Sequence, residues 1–354
     1  MRSLLYVGLL AVVACYRLFF DLGRGPVRND ERIYVSVVDR MLETGDWIHL
    51  ERLRDGVLEP YLNKPPLYFW LTAVTRPMLG SGMAAYRFWS ALFGLACVLA
   101  TFQLGRRMHG PEVGLVAGLA LATNRAFLDH HGARVACMDS ALVLCAVVAF
   151  WLAWEMRDRE RRIGVWAVSG LVCGVASLFK TLAGVPLLLL IGAYGLLFER
   201  GVSRRARVLG PIVGLAACLL VFAPWAVTAW SHHGAAFPDR IWHDYVERAT
   251  IDWNPEKARG VGYYAWFTTR SSWPFLLFLP ALAFTAVAGF FRERDPRGRF
   301  LSFAVAAWMA ALSLARTRWA WYVYPIYPLI AVSIAWLLVA GVTRGARPLS
   351  QSAP

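Results

Sequence analysis

Ten long apolar runs constrain this 354-residue chain more than any other feature. They lie near residues 3–20, 83–104, 111–127, 137–154, 163–179, 181–198, 208–230, 274–291, 300–315 and 321–340, each close to the ~20 residues that cross a bilayer. With 58% of residues hydrophobic, 17% charged and a mean hydropathy of +0.47, the expectation is an all-α polytopic membrane protein. It has about ten transmembrane helices and two long outward-facing loops, the first carrying amphipathic juxtamembrane helices. The stretch "RLFFDLGRG" after the first run holds no small-residue cleavage site, so that run reads as a span rather than a cleaved signal. Residues 1–354 read as a single integral-membrane domain with no separate soluble domain.

Charge sets the orientation. With the N-terminus in the cytoplasm, "GRRMHG", "RDRERR", "RGVSRRARV" and "FRERDPRGRF" fall inside, and with Arg2 and the C-terminal tail they carry 17 basic residues. The positive-inside rule thus accounts for most of the +14 net charge, and nucleic acid is not an expected partner. Cys15, Cys97, Cys137, Cys145, Cys173 and Cys218 lie in or at the edges of apolar runs. Their spacing suits neither a disulfide framework nor a metal site, so they read as small core hydrophobes.

The outward segments 21–81 and 231–273 hold nine and five of the 23 acidic residues. Loops this long are usually functional. In "NDERIYVSVVDRMLETGDW", Tyr34, Val37, Val38 and Met41 share one helical face, which predicts an amphipathic helix on the outer membrane surface. Asn29 or Asp30 would cap its start and Gly45 its end. A second helix is expected from "KPP", with Tyr68 and Trp70 at headgroup depth.

Lys64 opens that second helix, in a chain with only three lysines among 37 basic residues. It suits two roles: an anchor snorkelling to headgroups, or a cation holding a phosphate at a helix entrance. Pro65 and Pro66 remove two of the N–H donors there, so charge would do most of the holding.

Seven motifs then run in order: Asp30-Glu31, "TGDW" (44–47), "NKPPLYFWL" (63–71), "ARVACMD" (133–139), "LFK" (178–180), "FPDRIWHDYVER" (237–248) and "RTRWAWYVYPIYP" (316–328). Along essentially the whole chain the set resembles the GT-C glycosyltransferases that use lipid-linked sugars, in the branch of the lipid A aminoarabinose transferases and protein O-mannosyltransferases. The resemblance implies a GT-C-like fold in the cytoplasmic (inner) membrane with its active site on the outer, periplasmic side. It implies transfer of a sugar from a polyprenyl-phosphate carrier to an envelope lipid, glycan or protein hydroxyl. A departing phosphate needs cations, and the acceptor hydroxyl needs a carboxylate base. One base opposite one anion clamp is the arrangement of an inverting displacement.

The resemblance places Asp30 as the base, with Glu31 supporting it or holding the acceptor, and Asp139 as a second catalytic candidate. A helix N-cap suits Asp30 equally, and a structural pair with Arg134 suits Asp139. Donor-phosphate binding falls to Lys64, then Arg134, Arg248 and Arg318, with Tyr322 as a hydrogen-bond donor and Lys180 beside them. Arg318 stands where the family often has lysine, and threonine follows Lys180 where the family has glycine. The family's metal site, a Glu before Lys-Pro-Pro and a His in the second loop, meets Asn63 and Tyr245 here. No metal ligand is therefore assigned and no cofactor is firmly expected, although a divalent cation assisting the phosphate stays open. His232, His233 and His243 read as polar loop residues. The competing reading is a transporter or flippase of a lipid-linked sugar, which would place ionisable groups at the midplane; here the acids lie outside.

Overall fold

The computed structural model describes residues 2–54, 56–155, 162–198, 203–251, 259–292 and 294–345. Most of "RDRERR", the first part of "RGVSRRARV", and Asp252, Glu256 and Lys257 of the second outward segment lie outside the described residues. The elements run α1 (Arg2–Phe19), α2 (Asn29–Thr44), β1 (Glu51–Arg54), β2 (Val57–Pro60), α3 (Leu67–Leu79), α4 (Met83–His109), α5 (Pro111–Ala122), α6 (Arg125–Asp129) and α7 (Asp139–Glu155). They continue with α8 (Arg162–Phe179), α9 (Gly184–Phe198), α10 (Arg204–His233), α11 (Ala236–Trp242), α12 (Arg248–Thr250), α13 (Tyr263–Arg270), α14 (Phe278–Ala286), α15 (Pro296–Leu314) and α16 (Tyr327–Gly345).

Among the described residues six helical segments are long and apolar enough to cross a membrane: Arg2–Phe19, Met83–His109, Arg162–Phe179, Arg205–His233, Phe275–Arg292 and Ala320–Thr343. α5, α7, α9 and α15 occupy the other expected spans, but α5 and α9 are shorter. α5 stops at Ala122 because Asn124 caps the next helix, its side chain accepting from Phe127 N. α4 packs against α1, α5, α7 and α16 at the centre of the bundle. α8 meets α10 backbone to backbone through Gly170 and Gly174. A Cβ at Gly170 would sit 2.1 Å from Gly214 O, so only glycine permits this close approach.

The first outward segment departs from expectation in an informative way. Tyr34, Val37, Val38 and Met41 do share a face of α2, but that face is buried in a cluster with Tyr61, Phe69, Val135 and Met138. That face therefore meets protein. Arg28, not Asn29 or Asp30, is its N-cap, while Gly45 ends it at φ +70°. A β1–β2 hairpin, absent from the sequence reading, follows it. Tyr68 is buried, with its hydroxyl donating to Tyr86 O, and Trp70 Nε1 donates to Trp47 O. Both rings are internal struts here, because neighbouring polar groups satisfy them inside the fold.

Glu31 explains how this segment is fixed. It is fully buried and accepts from Arg87 Nε (2.7 Å) and Nη2 (2.9 Å), Ala136 N (2.8 Å) and Arg28 N (2.9 Å). Arg87, also buried, donates onward to Leu22 O, Arg24 O and Pro26 O. Burial raises the Glu31 carboxyl pKa, but Arg87 and the two backbone N–H groups together hold it below its ordinary value. With both oxygens engaged, Glu31 has no capacity left for substrate. It braces α2 against α4 and the 131–138 segment. Glu31→Ala leaves the buried Arg87 charge unpaired and is expected to cost about 3–5 kcal/mol. Unfolding of the purified protein in detergent measures it, and an unchanged midpoint would show the pair to be dispensable.

Candidate active site

A cavity of about 240 Å³ opens where the ends of several helices meet segments 21–81 and 231–273. Lys64 reaches it from the loop before α3, and Asp139 from the first residue of α7. Lys180 comes from the residue after α8, Arg248 from α12, and Tyr322 from the 3-10 turn before α16. Lys180 Nζ donates to Asp139 Oδ1 at 2.9 Å and lies 5.1 Å from the centre of the Tyr322 ring. One wall is apolar, built by Leu142, Leu187, Trp308 and Leu312. The space therefore has a cationic end and a greasy end.

The charges are unevenly paired. Arg248 Nη2 meets Asp244 Oδ1 at 2.9 Å, and Asp244 also takes Arg240 at 2.9 Å. Asp139 answers Lys180. Among the described residues Lys64 has no carboxylate partner, and its Nζ donates only to Asn63 O at 3.1 Å. Burial, then the neighbouring Lys180 and Arg248, push its pKa down to about 8 despite the opposing pull of Asp244 and Asp139. Burial would lower Lys180 too, but its Asp139 partner more than offsets that and raises it. Lys64 is thus a cation in search of an anion.

The structure brings together Lys64, Asp139, Lys180, Arg248 and Tyr322 and leaves the other four expected residues outside the cavity. Arg134 donates to Arg17 O (2.6 Å) and Phe20 O (3.0 Å), tying down the carbonyl end of α1. Asp139 pairs with Lys180 and not with Arg134, whose carboxylate neighbour is Asp129. Arg318 donates to Ser313 O at 2.7 Å and to Arg259 O. Both guanidinium groups donate to backbone carbonyls, and neither residue lines the cavity. Asp30 is half-exposed beside the cavity, and its Oδ2 is 3.9 Å from His131 Nε2. Glu31 is the brace described above.

Two site residues escaped the sequence reading. Asp244 is held between Arg240 and Arg248, and the four-residue spacing of these three along "DRIWHDYVER" was the available signal. His131 stacks on Trp321 (ring centroids 3.8 Å apart) and stands between Asp30 and Asp139. His232 and His233 lie elsewhere, against His49, and His243 bonds Glu247. At the family's metal position, Asn63 and Tyr245 both line the cavity. A neutral amide and a phenol in place of a carboxylate and an imidazole do not make a divalent transition-metal site.

Residues 63–228 match the family model for dolichyl-phosphate-mannose-protein mannosyltransferases. The undecaprenyl phosphate-α-4-amino-4-deoxy-L-arabinose arabinosyl transferase 1 of Pseudomonas fluorescens is 24% identical over 322 residues, 90% of this chain and 55% of its own. The chain thus spans little more than half the length of the curated relatives it matches. ArnT from Cupriavidus metallidurans, solved with undecaprenyl phosphate, superposes with a TM-score of 0.78 at 22% identity, over 95% of this chain and 60% of that one. The oligosaccharyltransferase AglB of Archaeoglobus fulgidus, solved with an inhibitory peptide and a dolichol-phosphate, gives 0.66 at 13% identity, over 100% and 52%. Family model, sequence relatives and fold point the same way: the chain is similar to the undecaprenyl phosphate aminoarabinose arabinosyl transferases, and its fold is that of ArnT and AglB.

Proposed function

We propose that this protein transfers a sugar from a polyprenyl-phosphate carrier to an envelope acceptor hydroxyl, at the outer face of the inner membrane. The observation that carries the reading is Lys64, a half-buried cation beside Lys180 and Arg248 that has no carboxylate partner among the described residues. A lipid phosphate would complete that charge set, and the apolar wall of Leu187, Trp308 and Leu312 would receive the first part of the polyprenyl tail. In this reading all ten apolar helical segments span the membrane, and the cavity faces outward between the two long segments.

The chemistry is a single displacement. The acceptor oxygen attacks the anomeric carbon while the bond from that carbon to the phosphate oxygen breaks, and the phosphate leaves with the electron pair. Lys64, Lys180 and Arg248 stabilise the charge that grows on it, and the Tyr322 hydroxyl donates to it. Asp30, in the first turn of α2, takes the acceptor proton. Asp139 holds Lys180 in position. The names of the sequence relatives make undecaprenyl-phosphate aminoarabinose the first donor to test, and lipid A the first acceptor.

The test is transfer by purified protein from a panel of radiolabelled polyprenyl-phosphate sugars to envelope extract, with and without EDTA. Label moving from one donor to an acceptor is expected, and it names both sugar and acceptor. A folded protein that binds the carrier but transfers from no donor would favour transport instead.

A further inference from the structure

The segment that carries Asp139 holds two further side chains, His131 and Cys137, that the displacement does not use. His131, Cys137 and Asp139 each offer a ligand atom, and these atoms all lie within 4.8 Å of one another. His131 Nδ1 is 3.9 Å from Asp139 Oδ2, too far for a hydrogen bond. Asp139 divides its oxygens, giving Oδ1 to Lys180 and turning Oδ2 toward the imidazole. Among the described residues neither ring nitrogen of His131 has a hydrogen-bond partner. Cys137 Sγ, buried, donates weakly to Gly132 O at 3.6 Å.

The scaffold holds these groups in place. The His131 ring is fixed face-on against Trp321, with an interplanar angle of 21°. Its backbone sits at φ +52°, a left-handed conformation that costs a non-glycine residue energy and persists where the surroundings impose it. Cys137 and Asp139 are pinned by the Ser90 bonds on either side: Ser90 Oγ donates to Cys137 O, and Ser140 Oγ donates to Ser90 O.

We propose that His131, Cys137 and Asp139 form a binding site for a divalent transition-metal ion of the zinc type. The ligand set of one thiol, one imidazole and one carboxylate selects such an ion over magnesium or calcium, which take oxygen ligands. Ligand bonds of about 2.0–2.3 Å require the three atoms to close by roughly 1 Å from their present spacing. Binding releases the thiol proton, and the ion takes the thiolate, the neutral imidazole and the carboxylate, leaving one tetrahedral position open. Two anionic ligands beside Lys180 keep the cluster net positive. In the transfer reading, on which this consequence alone rests, that charge adds to the phosphate cradle. The site is distinct from the Asn63 and Tyr245 position, which lacks suitable donors.

Metal-stripped, full-length protein in detergent is titrated with Co²⁺ and followed by absorption. One ion per chain with a thiolate-to-cobalt charge-transfer band is expected, displaced by Zn²⁺. Cys137→Ser should abolish the band, and His131→Ala should weaken binding at least about tenfold. If Cys137→Ser does not fold, His131→Ala at the half-buried end of the segment decides the matter. Overturning results are no band at any Co²⁺ concentration, a band unchanged in the variants, or binding without thiolate absorption, as the His49–His232–His233 cluster would give. Because the readout is optical, a protein that holds cobalt in this way yet transfers no sugar would keep the metal site and remove the transfer reading.

Discussion

Lys64→Met is expected to abolish sugar transfer and at the same time to make the protein more stable. The two effects share one cause. In the folded chain Lys64 is desolvated and faces Lys180 and Arg248, so its pKa falls from 10.5 to about 8. Between those values the unfolded state binds more protons than the folded one, so the contribution of Lys64 to stability rises with pH through that window. At pH 7 the residue is charged in both states and its burial is a cost, on the order of 2 kcal/mol after allowing for partial exposure. Methionine keeps the apolar stem and removes the charge. A higher unfolding midpoint should therefore accompany a loss of about 10²–10³ in turnover, the usual effect of deleting one donor to a developing anion. The pH profile gives a second handle: kcat/KM of the unaltered enzyme should fall above pH ~8, as free Lys64 loses its proton. Lys64→Arg should remove that limb, since arginine stays charged. A plain headgroup anchor would leave transfer, and the pH profile, untouched.

Much of this arrangement was legible in the sequence because membrane proteins separate their polar residues so sharply. Lys64 and Lys180, two of three lysines in an arginine-rich chain, stand out by type alone, and both reach the cavity. Six of the expected spans were legible, as helices long and apolar enough to cross a membrane, because bilayer thickness fixes that length. What sequence periodicity could not give was the partner of each face. Tyr34, Val37, Val38 and Met41 form the expected stripe, but a stripe reads the same whether it meets lipid or protein. The same blindness hid the partners of Glu31 and Arg134. An acid beside a candidate base and an arginine near a candidate acid look functional in one dimension. Only the fold reveals Arg87, 56 residues from Glu31, or the α1 carbonyls, more than a hundred residues from Arg134. His131 was missed for the opposite reason. Its neighbours Asp30 and Trp321 come from distant segments, and the local string "DHHGARVACMD" is silent about them.

Asp30→Asn is expected to lower turnover by about 10²–10⁴ while leaving donor affinity within a few-fold of normal. The split follows from where the two candidate bases sit. Asp139 is buried in the cavity wall with Oδ1 bonded to Lys180, so taking a proton would cost that ion pair. Among the described residues Asp30 carries no such commitment: its side chain is 43% exposed, and His131 Nε2 is 3.9 Å away. It also lies outside the cationic end of the cavity, as a base on the face of the sugar opposite the leaving phosphate should. Single-turnover kinetics beside carrier binding in the same preparation separate the two effects. Asp139→Asn frees Lys180 and should disturb carrier binding as well as rate, because it alters the anion cradle directly. If Asp30→Asn turned over normally while Asp139→Asn lost only the chemical step, the base would be Asp139, and Lys180 would have to give up its partner in every catalytic cycle.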